Sequence, residues 1–455
     1  MKIQITVLVI VIFFLVSCSF FTKEKKMELP EEGGLIIHDF TENSPLERAG
    51  AKRKDILWKY DGKIVSSVEH LGKLKEEVKS DMVQVEIIHY DEHKVVSIPS
   101  GKIGVYLLPI VKESTIDKDA QIIEGIGKLQ WGNDQDISFF GALAEIEKLR
   151  GQNLTYNDLL VLSGYGYRTN FYDGWCPSSP DATCGFNCGE EIMKKLGYEI
   201  EFLYLEDMME QDKEFTLETH SWKEIKQQIT ASIDSGFPVL AIDLIQVPEW
   251  GLITGYQKNG DELFCRTYFD RTEGYDLVQK KPWVLIRIHG KKEVDIAPLY
   301  NQSLKLAAKL YNTPQFENYT NGINATETWI SHLKNEDHII SQDAQQFQGI
   351  SHANSWIYYA LSDSRKKTAT YLANNKSMFT VDENILSQIS ELYTQEAEIL
   401  EKGLPYTASI MKTNTPETWT TEMRARQVLT LQEYHNLELK VKQLLNSLFT
   451  DNKLK

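Results

Sequence analysis

Residues 163–188 read Ser-Gly-Tyr-Gly-Tyr-Arg-Thr-Asn-Phe-Tyr-Asp-Gly-Trp-Cys-Pro-Ser-Ser-Pro-Asp-Ala-Thr-Cys-Gly-Phe-Asn-Cys, in a chain of 455 residues. Glycine, proline, aspartate and serine recur too often there for a regular helix or strand. A connection this long is either functional or disordered. Its aromatic rings decide for order, because disordered segments lack the large apolar groups that offset ordering entropy. The stretch is expected to be a structured loop lining a pocket, between a helix over 156–162 and another over 189–196. Arg168, Tyr165, Tyr167 and Trp175, with Glu249 and Trp250 from further along, would give that pocket aromatic walls, one cation and one carboxylate. The alternative is that Arg168 pairs with Glu249 or Asp173 and the rings are core.

The length exceeds what one core supports, so a multidomain chain is expected. A net charge of -16 argues against nucleic-acid binding, which needs a basic face, and against flat adhesion to anionic lipid. The N-terminus carries Lys2, an apolar run over 5–16 shorter than a spanning helix needs, and then Leu15-Val16-Ser17-Cys18. This resembles a bacterial lipoprotein leader. The resemblance implies a leader region over 1–18 cleaved just before Cys18, which stays as the lipidated N-terminus, a tether over 19–30, and a protein held on the extracytoplasmic face of the cell membrane. An uncleaved signal anchor is the alternative.

With Cys18 lipidated, Cys176, Cys184, Cys188 and Cys265 remain. An oxidising compartment favours disulfides, and four cysteines permit two bridges, or one bridge and two thiols. The spacing of the first three does not match paired zinc ligands, so no metal is expected. No phosphate loop occurs, so no cofactor is expected either.

After the tether, Gly33-Gly34-Leu35-Ile36-Ile37 reads as a glycine loop entering a strand. Ser44 caps a short helix opened by Pro45 and ended by Gly50, and Asp61-Gly62 is a hairpin turn. Residues 68–78 have helical spacing, and 83–89 alternate as a strand. The phrases Ser44-Pro45 to Gly50 and Asp55-Ile56 to Gly62-Lys63 resemble the PDZ domains of bacterial envelope proteins. The resemblance implies a small β-barrel-like PDZ domain over 31–100 that takes a peptide or protein C-terminus. Its carboxylate loop would fall at Gly33, Gly34 and Leu35, and its groove wall at Leu71 and Leu74. Lys52-Arg53-Lys54 replaces the usual Pro-Gly turn, which implies a looser turn. A PDZ fold used only as a spacer is the alternative.

Downstream, helices are expected near 138–149, 156–162, 189–196 and 224–233, then three strands in Pro238 to Leu244, Glu249 to Tyr256 and Glu262 to Asp270. Helices first and strands second suit an α+β domain over 120–295. The strand phrases resemble the cysteine peptidase domains that head bacteriocin exporters. Leu-Ser-Gly-Tyr-Gly-Tyr-Arg and Trp-Cys-Pro look closer to the butirosin biosynthesis protein H-like family. Both imply a papain-like fold with a thiolate opening the first long helix, a histidine just before Trp250, and Asp270 to orient it. The chain has no cysteine in Ser138-Phe139-Phe140-Gly141, and Glu249 stands at the histidine position. Residues 300–455 carry helical periodicity throughout and are expected to form an all-helical C-terminal domain.

Two functions follow. One is a membrane-anchored extracytoplasmic binding protein with a PDZ module and a degenerate papain-like domain. The other is a cysteine hydrolase or acyltransferase that uses Cys188, at the start of the next helix, with His220 or His289 as a relocated base and Asp270 retained. A structural Cys188, bridged to another cysteine, is the competing reading of that residue.

Overall fold

The computed structural model describes residues 30, 33–41, 43–89, 92–101, 103–109, 116–132, 135–206, 218–270, 274–410 and 412–450. Cys18 and the expected leader lie outside these. The fold is mixed α+β, in two compact units that divide after residue 112. Among the described residues no helix is long and apolar enough to cross a membrane.

In the first unit, β1 (Leu35–Phe40) leads to α1 (Pro45–Arg48), whose cap Ser44 accepts the Glu47 amide as expected. Strands β2 (Ile56–Tyr60) and β3 (Lys63–Ile64) flank the turn at Asp61 and Gly62, both of positive φ. Helix α2 (Val68–Glu77) and strands β4 (Met82–His89), β5 (Glu92–Pro99) and β6 (Val105–Pro109) complete it. The antiparallel order is β5-β4-β2-β1-β6, with β3 beside β2. Lys54 takes φ +73°, and Asp55 closes that turn by accepting the Lys52 amide at 2.8 Å. The Lys-Arg-Lys turn is therefore tied down by a buried carboxylate, which His89 also contacts.

The second unit begins with β7 (Gln121–Ile122), α3 (Ser138–Leu149) and α4 (Tyr156–Leu162). Helix α4 starts where sequence places it, because Thr155 and Asp158 form a reciprocal capping box. Then come β8 (Asn170–Tyr172), α5 (Cys188–Lys195), β9 (Tyr198–Leu205), β10 (Thr219–His220), α6 (Trp222–Asp234), β11 (Val239–Ile242), β12 (Trp250–Gln257), β13 (Glu262–Arg266), β14 (Asp276–Leu277) and β15 (Val284–Lys291). The sheet runs β10-β9-β15-β11-β12-β13-β14, with β7 on β12. Strands β11, β12 and β13 are the expected antiparallel meander.

The C-terminal part is mainly helical: α7 (Ala297–Asn312), the hairpin β16 (Gln315–Phe316) and β17 (Tyr319–Asn321), α8 (Ile323–Lys334), α9 (Glu336–Ile340), α10 (Ala344–Asn374), α11 (Glu383–Gly403) and α12 (Thr421–Thr450). Residues 120–295 and 300–455, expected as separate domains, fall in one compact unit. Their apolar faces share a core in which Phe139, Phe140 and Cys188 join Ala369, Tyr393 and Leu445. The hairpin also pairs with β8, inside the loop expected to hold no strand.

Candidate functional site

The site is built where α3 meets the start of β12. Ser138 is the first residue of α3, and Ile137 before it supplies no side-chain cap. No side-chain oxygen therefore caps the first turn of α3, where the Phe140 amide donates to Ile137 O at 3.0 Å. Ser138 is 5% exposed, and its Oγ accepts the Trp250 amide at 3.2 Å. The neighbouring Glu249 carboxyl hydrogen-bonds Ser138. Trp250 is fixed from three sides: its ring meets Phe139 edge-on, its amide holds Ser138, and its Nε1 donates to Asp181 Oδ2 at 2.8 Å.

These groups border a cleft of about 260 Å³. Pro177, Pro180 and Asp181 of the long loop form one wall, Val247 and Pro248 another, and His352, Trp356 and Tyr359 of α10 a third. Burial pushes the Glu249 carboxyl up to about 7, against the Ser138 hydrogen bond that lowers it, and the charge of Asp181 adds to the rise. Burial lowers the His352 pKa, so its imidazole is neutral at pH 7, with Nε2 receiving the Trp356 Nε1–H at 3.1 Å. Asp136 lies below its ordinary range: burial acts to raise it, but Lys367, the Gly132 amide and Tyr359 together outweigh that effect. The cleft therefore offers apolar and aromatic surface with two hydroxyl–carboxyl pairs, Ser138 with Glu249 and Tyr359 with Asp136.

Of the residues expected to line a ligand pocket, Glu249 borders this cleft and Trp250 braces it. Arg168 does not face a ligand. Its guanidinium donates to the carbonyls of Cys184, Phe186 and Asp181 at 2.7 to 2.8 Å and lies over Tyr165, so it clamps the loop to itself. Neither Glu249 nor Asp173 is its partner among these contacts. Trp175 belongs to the core, against Phe171 and His332, at φ +59°. Asp270 accepts from Arg266 at 2.9 Å and from the Thr267 amide, so it orients an arginine; burial pushes its carboxyl up to about 6.

The four described cysteines are free thiols. Cys188 opens α5 as expected, but Asn187 is the cap, and the thiol is 0% exposed in the core. Desolvation by burial pushes it up to about 11 against the opposing charge of Arg168, the reverse of an activated thiolate. Cys265 is likewise 0% exposed, in a separate core cluster, so it does not meet Cys188. His289 pairs with Glu201 on a half-exposed strand, and neither it nor His220 borders the cleft.

In the first unit, Leu35 pairs with Leu57 on one side and Pro109 on the other, and the Gly34 amide donates to Val65 O at 2.6 Å. The expected carboxylate loop at Gly33, Gly34 and Leu35 thus enters a strand with neighbours on both sides, leaving no edge there for an added chain. Leu71 and Leu74, each 4% exposed, are core residues of that unit. The outer strand on that side is β6, entered through Gly101 and Gly104, both of positive φ. Among the described residues no group of histidine, cysteine, aspartate and glutamate has the arrangement of a metal site.

The pairing of Ser138 with Glu249 was half-legible in the sequence, which placed both at the two vacant catalytic positions. His352 and Tyr359 were missed because they arrive from a helix more than a hundred residues further on. No protein-family model matches this chain and no curated protein matches it.

Proposed function

We propose that this is a lipid-anchored extracytoplasmic binding protein, with a PDZ-like peptide-capturing unit joined to a papain-like unit that does no thiol chemistry. The observation that carries the reading is the exchange of residue types at the floor of the cleft. Ser138 stands at the helix start where a thiolate would be, Glu249 at the histidine position, and Cys188 is locked in the core. The lipid on Cys18 would hold both units at the membrane.

In the first unit a partner's C-terminal segment would add to the outer edge of β6, the last strand of the sheet among the described residues. The turn at Gly101 and Gly104 would receive its carboxylate. Gly104 suits such a role, since φ +73° and a Cβ 2.8 Å from Ser44 Cα leave room for glycine only. The test is fluorescence anisotropy of the full chain with a library of C-terminal peptides, each as free acid and as amide. Binding of free acids at least tenfold tighter than their amides, abolished by Gly104→Val in a variant that still unfolds cooperatively, supports the reading. Equal affinity for acid and amide would sink it.

A further inference from the structure

We propose that Ser138 and Glu249 form a nucleophile–base pair, and that the cleft accepts an uncharged ester or thioester with an apolar or aromatic acyl group. This goes beyond binding and uses no cysteine.

Three features of the fold converge on it. Ser138 is the first residue of α3, which no side chain caps; the Phe140 amide is taken by Ile137 O at 3.0 Å, which leaves the Ser138 and Phe139 amides at the helix start to stabilise a developing oxyanion. The Trp250 amide donates to Oγ, which leaves the hydroxyl proton for Glu249. That pair borders a cleft large enough for a small acyl group, whose proline, valine and tryptophan walls suit apolar chains. Asp136 and Asp181 on the rim disfavour an anionic substrate.

The step balances without a cofactor. Ser138 Oγ attacks the acyl carbonyl carbon as its proton passes to the Glu249 carboxylate, and an acyl–oxygen bond forms. The bond from the carbonyl carbon to the leaving oxygen or sulfur then breaks, and the leaving group departs with the proton from Glu249. A water that gives its proton to Glu249 next attacks the acyl-serine; the carboxylic acid leaves and the Ser138 hydroxyl is restored. A serine needs a base that alternates between carboxylate and neutral acid, which Glu249 does near pH 7, the range in which histidine usually serves. The other ionisable groups facing the pair are accounted for. Asp136 is held by Lys367 and Tyr359, Asp181 by Trp250 and Thr183, the Tyr268 hydroxyl donates to Gln135 O, and His352 is neutral.

The test is labelling of the full chain in detergent with an alkyl fluorophosphonate, with the adduct mapped by peptide mass spectrometry between pH 5 and 9. The expected result is a single adduct on Ser138, forming faster as pH rises through about 7. It should be absent in Ser138→Ala and at least tenfold slower in Glu249→Gln. His289→Gln, on a strand outside the cleft, should label at the wild-type rate. No adduct on Ser138 in the wild type, or an equal rate in Glu249→Gln with its circular dichroism unchanged, would overturn the proposal. Peptide capture by the first unit is measured separately and stands or falls independently.

Discussion

Glu249 is a carboxyl whose folded value, about 7, lies above its ordinary 4.5 because burial disfavours the charge. Between those two values the folded chain keeps a proton that the unfolded chain has lost. The stability this group contributes is full below pH 4.5 and is lost as pH rises through 7. The loss is on the order of 3 kcal/mol. Urea unfolding of the wild type should therefore show stability falling across that window, and Glu249→Gln should remove most of the slope between about pH 6 and 7, above the range of Asp270. Asp270, raised to about 6, leaves a smaller component of the same sign at lower pH. An unchanged slope in Glu249→Gln would place the carboxyl in water. Lys54 gives a second residue-scale test in the first unit. A side chain at φ +73° is strained where glycine is not, so Lys54→Gly should raise that unit's stability by about 1 kcal/mol in the same experiment.

At the scale of elements, the later half of the long loop is held by the Arg168 guanidinium and one small sheet. Arg168 satisfies three carbonyls of residues 181–186, and β8 pairs with β17. Arg168→Met leaves those carbonyls without their charged donor and should cost about 3 kcal/mol. Hydrogen exchange should report faster opening of 176–188, while the amides of α6 keep their protection; uniform loss of protection would mean that Arg168 holds the unit and not the loop. These elements also show what the sequence disclosed. Helices with a capping residue and clear periodicity were legible to within two residues, as at α4 with Thr155 and α6 with Ser221. The meander was legible from short apolar runs between turns. Strand β8 was not, because its stability comes from Tyr319 to Asn321, about 150 residues away, and its local sequence reads as turn. Trp356 and Tyr359 were not legible as cleft residues, since periodicity shows which residues share a helix face but not whether a neighbour covers it. The burial of Cys188 was hidden for a related reason. Cys-Gly reads as an exposed helix opening, yet Phe139 packs where a Cβ on Gly189 would stand.

At the scale of the molecule, the helical C-terminal part completes the second unit and supplies a wall of the cleft. Arg365 makes this physical. Fully buried, it donates to Glu396 at 2.9 Å, to Glu438 at 3.0 Å and to carbonyls of residues 166–168, tying α10, α11 and α12 to the long loop. Burial, and after it the charge of Glu438, push Glu396 well above its ordinary range against the Arg365 guanidinium, which acts to lower it. Breaking such a cluster from one side strands a buried charge. Residues 113–455 are accordingly expected to unfold in one cooperative step, with fluorescence and circular dichroism transitions coincident, and two separated transitions would contradict a shared core. The central claim, that the second unit does no cysteine chemistry, is tested most directly by alkylating the full chain with iodoacetamide at pH 7, natively, after unfolding, and after unfolding with reductant. Cys188, Cys265 and Cys184, whose thiol burial pushes up to about 12, should resist the reagent in the native chain and react on unfolding without reductant, while the partly exposed Cys176 reacts in the native chain. Rapid native alkylation of Cys188, faster than that of Cys176, would contradict the account and return the site to a thiolate.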